Sequence, residues 1–114
     1  MLDYSDEYQH WDNTEPVTVV VPRPASEQGT ATVDVSVARR QTPRRDAQFF
    51  NGIRLQGNEM IWHVPAALMD GVDIRPDSTI TDGQGIKWIV ATAVELRLGA
   101  SRGAWECLCR EGRR

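Results

Sequence analysis

Residues 74–98 read I-R-P-D-S-T-I-T-D-G-Q-G-I-K-W-I-V-A-T-A-V-E-L-R-L. Pro76-Asp77 signals a turn. Ser78-Thr79-Ile80-Thr81 is a short stretch rich in β-branched residues, and Asp82-Gly83-Gln84-Gly85 supplies residues that tolerate positive φ. A long β-rich run, residues 87–98, follows. Two such runs around a short Asp-Gly turn predict a β-hairpin. Period two places Trp88, Val90, Val94, Leu96 and Leu98 on one face, with Thr92 between them. Lys87, Glu95 and Arg97 share the other face with Ile89, Ala91 and Ala93. The first face is expected to be core throughout. The apolar middle of the second is left for another part of the chain, or another subunit, to cover.

Upstream, Val17, Val19 and Val21 alternate with Thr18 and Val20, and Pro22-Arg23-Pro24 ends that strand. Residues 30–40 form a second strand, with Val33, Val35 and Val37 inward and Asp34 and Ser36 outward. The pair reads as an antiparallel hairpin. Residues 52–55 and 59–64 are short strands around Gln56-Gly57-Asn58. Pro65 opens one helical turn, which Gly71 stops. Residues 104–110 form the last strand, with Trp105, Cys107 and Cys109 on one face, Glu106 and Arg110 on the other, and Leu108 between them. Six to seven short antiparallel strands predict an all-β fold, a small barrel or sandwich with one short helical turn.

A chain of 114 residues fits one domain. The division expected is an acidic N-terminal arm, residues 1–15, and one small β-barrel domain, residues 16–114, with a protruding loop or hairpin tip near 39–51. The arm carries five carboxylates and no Lys or Arg, for a charge of −5, which leaves +2 on the rest of a chain of net charge −3. Its Tyr4, Tyr8 and Trp11 argue against a merely solvated tail, because disordered tails are poor in aromatics. The arm is expected to dock, on its own domain or on a neighbour. The loop contains Arg39, Arg40, Arg44 and Arg45 within seven positions, followed by Phe49-Phe50. Three roles fit such a cluster: a solvated loop, a contact with an acidic protein surface, or a contact with phosphates.

Cys107 and Cys109 stand two apart, on one face of a strand and too close for an ordinary structural disulfide. They are expected to be reduced thiols in the core, as a reducing compartment allows. His10 and His63 offer no ligand partner at metal spacing, so no metal is expected. No phosphate loop, GxSxG elbow or HExxH occurs. No catalytic residue and no cofactor are therefore assigned, and the chain is not expected to be an enzyme. No apolar run approaches the ~20 residues of a membrane helix. The acidic N-terminus lacks a signal-peptide pattern, so synthesis and retention in a cytoplasm, without membrane partners, are expected.

Residues 59–110 carry E-M-I-W-H-V-P-A, then R-P-D-S-T-I-T-D-G-Q-G-I-K-W-I-V-A-T-A-V, then G-A-W-E-C-L-C-R. In this order they resemble the small head-tail joining proteins of tailed bacteriophages, also called head completion, stopper or connector proteins. The resemblance covers nearly half of the chain. It implies a small β-barrel that assembles as a homo-oligomeric ring in the virion neck, between the portal or adaptor protein and the tail or tail-terminator protein. DNA would pass near it through the ring, and the protein would be made in the host bacterial cytoplasm. A tail terminator, a capsid-stabilising protein and a nucleic-acid-binding barrel are the alternatives. Tyr4, Tyr8 and Trp11 in the arm, with Arg39, Arg40, Arg44, Arg45, Phe49 and Phe50 in the loop, are the candidate partner-binding residues.

Overall fold

The structure is a computed structural model that describes residues 11, 13–22, 29–43, 48–50, 52–98 and 101–112. Its strands are β1 (Thr14–Pro22), β2 (Thr30–Gln41), β3 (Phe49–Phe50), β4 (Ile53–Arg54), β5 (Glu59–Pro65), β6 (Thr79–Thr81), β7 (Lys87–Leu98) and β8 (Ser101–Glu111). One 3-10 turn, Ala66–Leu68, follows β5. Six strands close into an antiparallel barrel in the order β1-β2-β5-β8-β7-β6, and β3 and β4 form a separate two-stranded hairpin.

The valine alternation of β1 and β2 builds one wall, with Val17, Val19, Val21, Val33 and Val35 buried. Trp62 and Val64 of β5 and Trp105, Cys107 and Cys109 of β8 complete the interior with Ile80, Trp88 and Val90. Each fully buried side chain of this size contributes roughly 1.5–3 kcal/mol relative to exposure. Met69 and Ile74, in the connection between β5 and β6, also join the core. The predicted hairpin of residues 78–98 forms, with Thr79 opposite Ile89 and Thr81 opposite Lys87.

Four local expectations need correction. The strand expected over residues 30–40 forms as β2 and runs to Gln41, so the protruding loop does not begin at residue 39. Beyond it, Phe49 pairs with Arg54 and Phe50 with Ile53 in a short hairpin. Ile53 and Arg54 therefore do not partner β5, which pairs with β2 and β8.

The other two corrections are bulges, where one extra residue reverses the facing of everything after it. In β2, Ser36 and Val37 stand between Val35, opposite Val17, and Ala38, opposite Glu15. Ala38 is consequently fully buried, while Val37 is only half-buried. In β7, Val90 faces Cys109 and Thr92 faces Leu108, so Ala91 is the extra residue. Beyond it Ala93 packs on the core, whereas Val94 is 36% and Leu96 44% exposed. The core face expected throughout β7 ends at Val90.

Candidate functional site

Arg39 and Arg40 are consecutive in a strand, so they leave it on opposite faces. Arg40 stands opposite Trp62 and points inward. Its guanidinium carbon lies 5.3 Å from the centroid of the Trp62 ring. Its Nε donates to Glu15 Oε1 at 2.9 Å, and one terminal nitrogen donates to Asp82 Oδ2 at 3.4 Å. The indole N–H of Trp88 also donates to Asp82 Oδ2, at 3.2 Å. Asp82 Oδ1 accepts the backbone N–H groups of Gln84 and Ile86 at 2.9 and 3.0 Å. One buried carboxylate thus folds the Asp82–Gly85 turn and anchors one end of the barrel. Burial alone would raise its pKa. The bonds from Ile86, Trp88 and Gln84 and the charge of Arg40 outweigh that cost and hold it below its ordinary value of 3.8.

Arg39 stands opposite His63 and points outward. Its guanidinium carbon lies 5.0 Å from the centroid of Trp11, which meets His63 edge-on with centroids 6.2 Å apart. His63 Nε2 lies 3.0 Å from Glu106 Oε2 across the β5–β8 ladder. Asn13, with φ of 56°, turns the chain between Trp11 and β1. Asn is one of the few residues besides Gly that adopts this conformation readily.

Glu15 at the end of the acidic segment meets Arg40, and Trp11 meets Arg39, within the chain. Tyr4, Tyr8, Arg44 and Arg45 lie outside the described residues. Phe50 is half-buried and Phe49 is 62% exposed at the tip formed by β3 and β4. Sequence reasoning left the β7 face of Ile89 open to a covering partner but missed that Val94 and Leu96 share its exposure. No motif marks a bulge; the small run Ala91-Thr92-Ala93 is the only hint. It also missed Glu59, whose carboxylate accepts the backbone N–H groups of Gln56 and Gly57 at 2.8–3.0 Å and lies 3.5 Å from Arg110. Burial would raise its pKa, but these partners bring it below its ordinary 4.5.

Cys107 and Cys109 are buried free thiols, in the core as expected. Burial pushes both pKa values up, that of Cys109 to about 12 and that of Cys107 well above its ordinary value, with help from Cys109 and Glu106. They are poor nucleophiles, because the thiolate is the reactive form. Among the described residues, no group of three or more His, Cys, Asp or Glu is placed to hold a metal ion, and no helix is long and apolar enough to cross a membrane. Comparison with protein-family models, with curated proteins and with solved structures finds no match.

Proposed function

We propose that this chain is a structural subunit of a bacteriophage neck, one of a ring that joins the portal or adaptor to the tail around the DNA channel. One observation carries the reading. The three segments that resemble head-tail joining proteins fall on β5, on the β6–β7 hairpin and on β8, which form one continuous wall of the barrel, β5-β8-β7-β6. The resemblance thus follows a folded unit. The role needs binding surfaces and no covalent chemistry. The exposed Phe49 and the outer side of β7 offer apolar contact area of the kind that interface cores use.

The test is genetic. Ablating the gene in the element that encodes it should yield DNA-filled heads and free tails that do not join. Adding the purified protein to that lysate should restore joined particles, seen by electron microscopy. Normal joining without the protein overturns the proposal.

A further inference from the structure

The chain contains two Asp-Gly dipeptides, Asp70-Gly71 and Asp82-Gly83. In such a pair an aspartate can close on its own backbone. The nitrogen of the next residue attacks the side-chain Cγ, and glycine, which has no Cβ, leaves that approach uncrowded. The fold treats the two pairs differently.

At Asp82-Gly83 the carboxylate is buried and both of its oxygens are engaged, by Gln84 and Ile86 on one and by Trp88 and Arg40 on the other. The Gly83 N–H is engaged as well, donating to Glu15 Oε2 at 3.3 Å. A Cβ on Gly83 would stand 3.5 Å from that same oxygen. Neither reacting group can turn toward the other without breaking hydrogen bonds.

At Asp70-Gly71 both residues are exposed. Among the described residues, Asp70 makes no hydrogen bond or ion pair, and the Gly71 N–H makes no backbone bond. A Cβ on Gly71 would find nothing within 4 Å. The pair forms a tight turn, closed by the Val72 N–H, which donates to the Met69 carbonyl at 2.9 Å. Both central residues are left-handed, Asp70 at φ 52° and Gly71 at φ 75°. Turns of this kind favour Asp-Gly, although the left-handed conformation still costs more for a residue with a Cβ. An exposed turn held by one backbone bond opens locally, without unfolding of the barrel.

We propose that Asp70-Gly71 is a site of spontaneous backbone isomerisation, a slow modification to which the fold exposes Asp70 and from which it shields Asp82. The Gly71 nitrogen gives up its proton and bonds to Cγ of the protonated Asp70 carboxyl. The Cγ–OH bond breaks, water leaves, and a cyclic succinimide remains. Water then adds back. Addition at Cγ restores aspartate. Addition at the backbone carbonyl carbon breaks its bond to nitrogen and leaves isoaspartate, with the chain running through the side-chain carbonyl. The water lost is regained, and no oxidant or cofactor is consumed. The effect reaches the core, because Met69 and Ile74 on either side of the turn are buried. Isoaspartate lengthens the backbone between them and displaces the bond from Val72 to Met69.

The test holds the folded full chain for weeks at mildly acidic to neutral pH and then maps its peptides. Isoaspartyl peptides are found by a shifted elution at unchanged mass and by enzymatic methylation of the isoaspartyl carboxylate. Mapping also keeps them apart from Asn51-Gly52, which can form the same product with loss of ammonia. Isoaspartate at residue 70 should exceed that at residue 82 by about tenfold, a preference equal to ~1.4 kcal/mol. In urea the two positions should converge, because the shielding of Asp82 belongs to the fold. Asp70→Glu, whose longer side chain closes the ring poorly, should remove the signal at residue 70 and leave the circular dichroism unchanged. The isomerised fraction, separated by chromatography, should unfold at lower urea than fresh protein. Equal isoaspartate at the two positions in the folded chain overturns the proposal. So does a preference for residue 70 that persists undiminished in urea, since local sequence alone would then decide it. An isomerised fraction as stable as fresh protein overturns the link to Met69.

Discussion

β2 and β7 are both twelve-residue strands. Each has a long hairpin partner, a seam of three pairs to a shorter strand, and one bulge near its middle. Their outcomes differ. Past the bulge in β2, Ala38 and Arg40 turn inward, and Arg40 finds Trp62, Glu15 and Asp82. Past the bulge in β7, Ala93 turns inward and Val94 and Leu96 turn to solvent. A bulge is indifferent to polarity; it exchanges the two faces of whatever sequence follows. In β2 the exchange brings a cation into the barrel end, where its partners await. In β7 it leaves apolar surface uncovered.

The end of β2 supplies the largest expected effect. Trp62→Ala removes a fully buried ring beneath Arg40 and should cost about 3–5 kcal/mol in urea unfolding. A loss below about 1 kcal/mol would mean that β2 does not close over the interior as described.

Asp82→Asn comes next. The change weakens acceptance from four donors and should cost about 1–3 kcal/mol at neutral pH. Asp82 and Glu59 both titrate below their ordinary values of 3.8 and 4.5 when folded. Their stabilisation is therefore fully present above those values and is lost as pH falls through the folded ones. Unfolding series at descending pH should show the parent losing stability in the acid range, with Asp82→Asn losing less. Equal acid sensitivity of the two proteins would remove Asp82 from the account.

The outward face of β2 gives a smaller effect. Trp11→Ala should cost about 1–2 kcal/mol, from a cation–π contact and an edge-on aromatic contact. Combining it with Arg39→Ala should add less than the two single losses, since both variants break the same contact. Strict additivity would show that the stack does not act as a unit. The smallest effect belongs to β7. Leu96→Ser should change the stability of the isolated chain by no more than about 0.5 kcal/mol. A loss of 2 kcal/mol or more, the cost of truncating a core leucine, would place Leu96 inside and erase the contrast between the two strands.

The fold class was legible because the alternation of Val17 to Val21 and of Trp105 to Cys109 is a direct record of one buried face. The hairpin around Asp82–Gly85 was legible for the same reason, with turn chemistry added. Strand ends and facings past the bulges were not, because an unpaired residue leaves no mark in composition. Arg39 and Arg40 fell where the expected strand and the expected loop overlap, and the pairing with His63 and Trp62 places them in the strand. The neighbours of Trp11, Arg39 and His63, were not legible. The His63–Glu106 contact joins residues 43 apart in sequence, a distance at which local pattern carries no information.

The seams also bear on how the chain reaches its shape. The pairs β1–β2 and β7–β8 join residues close in sequence, so each can form with little loop entropy to overcome. The β1–β6 contact joins Thr18 to Thr81 and must wait for the long intervening chain to be gathered. Barrel closure is accordingly a late event that rests on three residue pairs there. The same pairs are the cheapest to undo. In hydrogen exchange, amides along β6 should open well before those of the β7–β8 ladder, which makes this molecule two stiff ribbons joined by quick-release clasps.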